Sequence, residues 1–260
     1  MSFFDGGMKI RVSAASGTEA VLKRELTALG YTPGGAERGR VDFEGGMRDV
    51  ARANVFLRTA GRVRIVIAEF PARTFDELYE GMRVVRWRDI LPRDAAVAVS
   101  AKSFSGKLFS LRDIQKIAKK AIADDYAARF GGRMPESGER YDIEVSIASD
   151  IASVTLDTSG VGLHKRGYRV KLGEAPIRET LAAAMLLLSV WRADRPFLDP
   201  FCGSGTIAVE AALIGTDTAP GLRRGFAFEK FALAPEVASS VREEAEERVR
   251  RDVKLRIRGG

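Results

Sequence analysis

Residues 197–213 read FLDPFCGSGTIAVEAAL. An apolar approach ends in Asp199-Pro200, two glycines follow at 203 and 205, and an apolar helical pattern begins near Thr206. Strand, glycine turn and helix in that order mark a nucleotide-binding α/β domain. Glycine lets the backbone pass close beneath a ligand, and the start of the helix offers N–H groups that have no helical partner. Gly203 to Ala208 satisfies G-x-G-x-x-[GA], the dinucleotide pattern, which by itself admits several ligands.

Two features narrow the choice. There is no Gly-Lys-Ser/Thr, so nothing supplies the lysine of a P-loop. Asp199, at the end of the strand, would repel a dianionic pyrophosphate and favour a cationic ligand. The sulfonium and ammonium of S-adenosylmethionine fit that charge better than NAD does.

Composition bounds the partners. The 260 residues carry 42 Lys+Arg against 35 Asp+Glu, a formal charge of +7, which favours contact with a polyanion. One cysteine excludes an internal disulfide framework, and with a single histidine it argues against a zinc site. The start, MSFFDGGMKIRVSAAS, has no signal-peptide pattern. The longest apolar run, LAAAMLLLSVW, falls short of the about 20 residues a membrane helix needs. A cytoplasmic location is expected.

Working outward from the loop, the first 160 residues alternate strand and helix patterns. KIRVSAAS (9–16), RGRVDFEGG and RVRIVIAEF (62–70) read as strands. TEAVLKRELTALG (18–30) and MRDVARANVFLRTAG read as helices. This predicts a small ferredoxin-like α+β sandwich over 1–65. A second unit over 66–160 begins with a helix opened by a capping box, Thr74 to Glu77. A strand (95–103), a helix (111–130) ending at Gly131-Gly132, and two strands within 141–160 follow.

The helix over 111–130 puts Leu111, Ile114, Ile117, Ala118, Ala121 and Ile122 on one face and Arg112, Lys116, Lys119 and Lys120 on another. The basic face suits either a run of phosphates or plain solvent. Next to it, SAKSFSGKLF interleaves Lys102 and Lys107 with Phe104 and Phe109, a pattern that favours RNA because aromatics stack on splayed bases.

Residues 161–260 begin with a basic, glycine-punctuated linker, GLHKRGYRVKLGEAP. An apolar helix, RETLAAAMLLLSVW, follows and is expected to be buried. Cys202 reads best as a small side chain packed at the loop. His164 has no catalytic cluster around it, and Glu210 reads as a hydrogen-bonding or packing residue. Beyond the loop come FAFEKF, a charged helix (235–252) and a strand within VKLRIRGG.

DPFCGSGTIAVEAA resembles motif I of class I methyltransferases that modify RNA. GLHKRGYR, APIRETLAAAMLLLSVW and APGLRRGFAFEKF occur in the order found in bacterial THUMP-domain methyltransferases similar to the 23S rRNA guanine-N2 enzymes. The resemblance implies a ferredoxin-like unit and a THUMP domain that grip structured RNA, with rRNA as the expected substrate, followed by the beginning of a Rossmann-like methyltransferase domain. It implies that Asp199, Phe201, Gly203, Ser204 and Gly205 line S-adenosylmethionine, that Glu179 and Thr180 approach it, and that Lys165, Arg166, Tyr168 and Arg169 face RNA.

The family's ribose-binding acid and its Asn-Pro-Pro-Tyr target-base motif are missing. Asn54 is the only asparagine, and Pro-Pro does not occur. Only two strands follow residue 190, against about five to seven in a doubly wound sheet. The expectation is therefore a truncated methyltransferase domain, inactive alone, with its catalytic residues beyond Gly260. A non-catalytic RNA-binding module is the alternative reading, and an NAD-dependent oxidoreductase is a weaker one.

Overall fold

The alternation in MKIRVSA becomes strand β1 (Met8–Ala14), which buries Met8, Ile10 and Val12. Helix α1 (Glu19–Ala28) packs through Val21, Leu22 and Leu26, the i, i+1, i+5 positions of one face. Strands β2 (Ala36–Glu37) and β3 (Arg40–Gly45) form a short antiparallel pair. Helix α2 (Met47–Phe56) and strand β4 (Ala60–Pro71) complete a βαββαβ run, with strand order β2-β3-β1-β4. This is the expected ferredoxin-like topology. Strand β2 carries no signal in the sequence, because both of its residues are exposed and neither alternates with an apolar neighbour.

The computed structural model describes residues 3–169, 176–231 and 234–260. Contacts divide it into two units that cut across the sequential domain boundaries: Ile10–Val63 joins Val161–Gly260, while Arg64–Gly160 joins the segment ending at Lys9. The chain passes from one unit to the other within β4.

In the second of these units, the Thr74 hydroxyl accepts the Glu77 N–H at 3.1 Å and caps helix α3 (Phe75–Val84). Strand β5 (Ala96–Phe104) runs parallel to β6 (Arg140–Ala148), and helix α4 (Leu111–Phe130) is the crossover between them. Strand β7 (Ile151–Asp157) returns antiparallel to β6 through a turn in which Ser149 and Asp150 both have positive φ, and it pairs on its other side with β4. The buried face of α4 is Ile114, Ala118, Ala121, Ile122 and Tyr126. Leu111, expected on that face, is exposed because a first-turn side chain tilts back past the helix start.

The C-terminal part of the other unit holds helix α5 (Glu179–Leu188), strand β8 (Phe197–Asp199), helix α6 (Thr206–Gly215), helix α7 (Ala234–Glu247) and strand β9 (Ile257–Gly259). Strands β8 and β9 pair in parallel, Phe197 opposite Ile257 and Asp199 opposite Gly259. Helix α5 buries Ala182, Ala183, Ala184 and Leu186. The expectation of a wholly buried helix is corrected, since Leu181, Met185 and Leu188 are exposed.

Helix α7 docks on α2. Glu244 receives Arg48 at 2.8 Å and Arg52 at 3.0 Å, and Arg52 also donates to the Tyr31 hydroxyl. Gly221 lets the chain lie against α2. Its N–H reaches the Val55 carbonyl at 2.9 Å, and a Cβ there would meet Val55 Cα at 2.7 Å. These contacts hold Ile10–Val63 and the C-terminal part in one unit.

Candidate functional site

The site is built from the end of β8, the glycine loop and the start of α6. Asp199 Oδ1 accepts the Phe201 N–H at 3.2 Å, so the carboxylate shapes the turn that follows it. The loop is tied back to β9. Gly260 N–H bonds the Asp199 carbonyl at 3.0 Å, and Cys202 N–H bonds the Gly260 carbonyl at 3.1 Å. Gly205 N–H bonds the Cys202 carbonyl at 2.8 Å and closes the turn.

Gly203 and Gly205 have φ of 52° and 74°, a left-handed conformation costly for other residues, and Gly205 is the N-cap of α6. A Cβ on either would meet nothing within 4 Å, so the loop backbone faces open space. Phe201 stands almost fully in solvent, at 92% exposure. Cys202 lies against Gly259, where an added Cβ would come within 2.9 Å of its sulfur.

The remaining expected site residues take unequal places. Glu179 and Thr180 open α5 and are both buried. The Thr206 hydroxyl lies 3.2 Å from that of Ser204 and accepts Arg169 Nη2 at 2.9 Å. Arg169 also donates to the Ile177 carbonyl at 2.6 Å and forms an ion pair with Glu179, Nε to Oε1 at 2.7 Å. Arg169 was expected to face RNA. It turns instead to Thr206 beside the glycine loop and to Glu179, drawn by a carboxylate and a hydroxyl that burial would otherwise leave without a counter-charge and a donor.

Arg166 is corrected in the same way. It is only 5% exposed and donates to the carbonyls of Leu163 and Arg58, with its Nε 3.4 Å from Glu210 Oε1. A guanidinium so committed does not reach a polyanion. Tyr168 donates to Glu210 as well, which leaves Lys165 as the exposed cation of the four.

Burial pushes the Glu210 carboxyl above the usual carboxylate range, and Arg166 and Tyr168 offset only part of that. Burial, followed by the Glu210 charge, raises the Tyr168 phenol. The His164 ring lies over Gly162, where an added Cβ would be 2.8 Å from it, and burial lowers its pKa. Glu229 is paired with Arg242 at 2.6 Å in a short 3-10 turn, so it is not free to hold a ribose. Sequence reasoning missed the Arg58–Arg166–Glu210 cluster. Glu210 on an otherwise apolar α6 was the one visible signal.

In the other unit, Lys102, Lys107, Arg112, Lys116 and Lys120 are exposed, with Phe104 and Phe109 between them. Lys102 pairs with Glu144 at 2.8 Å. Lys119 is drawn aside, donating to the Val97 carbonyl at 2.5 Å and to Glu136. Among the described residues there is no group of three His, Cys, Asp or Glu side chains placed to hold a metal, and no helix long and apolar enough to cross a membrane.

Three family models match the chain in succession: an RlmL ferredoxin-like domain over 9–64, a THUMP domain over 72–157, and an RMKL-like methyltransferase domain over 166–260. YpsC of Bacillus subtilis strain 168, named as a candidate RNA methyltransferase, is 45% identical over 249 residues, which are 94% of this chain and 64% of YpsC. A crystal structure from Listeria monocytogenes, described as a predicted N6-adenine-specific DNA methylase, is 47% identical with a TM-score of 0.95. The match covers 98% of this chain and 68% of that one. The methyltransferase SMU.472, crystallised with SAH, is 44% identical with a TM-score of 0.93, covering 97% and 68%.

The chain thus spans about two thirds of the length of these relatives. A methyltransferase domain is present over 166–260, and the expectation that the chain is inactive alone finds no support.

Proposed function

The chain belongs to the RMKL-like methyltransferase family that carries an RlmL-type ferredoxin-like domain and a THUMP domain, and from that premise we propose that it is an S-adenosylmethionine-dependent RNA methyltransferase. The observation that carries this reading is the loop after β8. It has a carboxylate at the strand end, two left-handed glycines with nothing built against them, and a helix whose start carries no side-chain cap. These residues fit a ligand that is cationic at one end and carries a carboxylate. SAH in the SMU.472 structure supports the same ligand class.

In this reading, Asp199 favours the cationic part of the cofactor, and the N–H groups at the start of α6 take its carboxylate. S-adenosylmethionine, when bound, would supply an activated methyl group on sulfur for transfer to a nucleophilic amine, with S-adenosylhomocysteine as the leaving group. The amine proton then passes to solvent. Residues 1–65 and 66–160 form the RNA-gripping part, and the exposed cations on β5 and α4 contact its phosphates. The substrate class we propose is a guanine N2 in 23S rRNA. The Listeria and Bacillus names, one pointing to DNA and one to RNA, leave the nucleic acid as the question for experiment.

Isothermal titration of the chain with SAH and with NAD tests the cofactor, and incorporation of labelled methyl into 23S rRNA fragments, with duplex DNA as the control, tests the substrate. Binding of SAH but not NAD, with label in RNA guanine, is expected. Preferential NAD binding overturns the methyltransferase reading. RNA binding without SAH binding points to a non-catalytic RNA-binding module.

A further inference from the structure

We infer that Arg169 is a positioning residue that organises the cofactor loop, and that Glu179 serves this purpose rather than holding the cofactor's ammonium. The inference rests on the cofactor assignment above and adds to it the residue that shapes one end of the site.

The geometry gives Arg169 three partners, one on α6, one on α5 and one in the loop just before α5. Nη2 donates to the Thr206 hydroxyl at 2.9 Å and to the Ile177 carbonyl at 2.6 Å, and Nε lies 2.7 Å from Glu179 Oε1. The Glu179 pairing is an ion pair by distance, without an N–H directed along it. Thr206 is the first residue of α6, next to the N-cap Gly205, and its hydroxyl meets that of Ser204. Glu179 is the first residue of α5. One guanidinium therefore joins the first turn of α5 to the first turn of α6. The N–H groups of the α6 turn are those that would take the carboxylate of the cofactor's methionine end.

The charges lead to the same assignment. The Glu179 side chain is almost wholly buried, and a buried carboxylate needs a counter-charge. Arg169 supplies it. A cofactor ammonium would have to displace that guanidinium to reach Glu179, whereas Asp199 is partly exposed and its carboxylate accepts the neutral N–H of its own turn. Lysine could neutralise Glu179, but it lacks the planar fork that reaches Glu179 and Thr206 together.

The test uses the ligand-free chain and two probes, S-adenosylhomocysteine and 5′-methylthioadenosine, which lacks the amino-acid end. Arg169→Ala is expected to weaken S-adenosylhomocysteine binding about tenfold and to leave methylthioadenosine within twofold. In the absence of ligand, it is expected to speed amide exchange across 203–209. Arg169→Lys, which keeps the charge and guards against a simple folding defect, is expected to recover part of the affinity.

Equal weakening of both probes overturns the inference, and so does unchanged exchange across 203–209. If the wild-type chain binds neither probe, the cofactor assignment fails, and the exchange experiment still decides whether Arg169 organises the loop.

Discussion

Tyr168 donates its phenolic hydroxyl to Glu210 Oε1 across 3.0 Å, at a carboxylate with no exposed surface. The pair joins the segment after the THUMP domain to the middle of α6, and Arg166 and Arg58 complete the cluster.

Its pH dependence follows from the direction of the shift. The Glu210 carboxyl is raised in the folded chain, so the native state binds its proton more tightly than the unfolded chain does. Its contribution to stability is fully present below the ordinary glutamate value of 4.5 and is lost as pH rises through the folded value. Glu25, buried beneath the N–H groups of Arg58 and Thr59, is shifted the same way. Urea unfolding measured from pH 5 to 8 should show stability falling with pH. Glu210→Gln, a neutral stand-in for the protonated carboxyl, should flatten that slope and be no less stable than the wild type at the upper end of the range. Tyr168→Phe should cost about 1–3 kcal/mol. A slope unchanged in Glu210→Gln would rule out Glu210 as its source.

The carboxylate of Asp199 and its turn geometry can be separated. Asparagine keeps an oxygen for the Phe201 N–H and removes only the charge. If that charge selects a cationic ligand, Asp199→Asn should weaken S-adenosylhomocysteine binding about tenfold or more, with unfolding free energy within about 0.5 kcal/mol of wild type. Calorimetry and urea unfolding on the same preparation provide both values. Retained affinity would assign Asp199 to the turn alone.

These two predictions show which parts of the chain could be read from its residues. The loop was legible because its glycines, its acid and the helix behind it are local and obey backbone rules, and the helix over 111–130 was legible because its apolar spacing is regular. Strand β2 was not, since two exposed residues carry no pattern. The fates of Arg166 and Arg169 were not legible either. An arginine in a Gly-rich basic run looks like a polyanion ligand, and only the fold reveals Glu210 and Glu179 waiting in the interior. The grouping of Ile10–Val63 with the C-terminal part was equally hidden, because it depends on Glu244 meeting Arg48 and Arg52 from almost two hundred residues away.

At Gly205, strain can be told apart from steric exclusion. Its φ is 74°, yet a Cβ would meet nothing within 4 Å. Gly205→Ala should therefore cost about 1–2 kcal/mol through backbone strain alone, measured by urea unfolding. Gly221→Ala should cost more, because its Cβ would lie 2.7 Å from Val55 Cα, which is backbone and cannot give way. Equal costs would show that close approach to α2 does not limit Gly221.

The basic face of α4 gives the prediction that bears most directly on RNA. Lys116 and Lys120 are exposed, whereas Lys119 is held by the Val97 carbonyl and Glu136. If the exposed pair neutralises phosphates, each alanine substitution should weaken binding to structured RNA at every sequence tested. The slope of log affinity against log salt should fall by about 0.7–0.9 for each phosphate left without its lysine. Lys119→Ala should change the slope much less. Phe109, which stands 81% exposed in the neighbouring loop, should behave differently again. Its replacement by alanine should cost about 1–3 kcal/mol on single-stranded segments, because the bases forfeit a stacking surface, with the salt slope unchanged. Filter binding across a salt series with the four variants separates the two effects. Equal slopes for Lys116→Ala and Lys119→Ala would mean that the exposed face of α4 does not touch the backbone of the RNA.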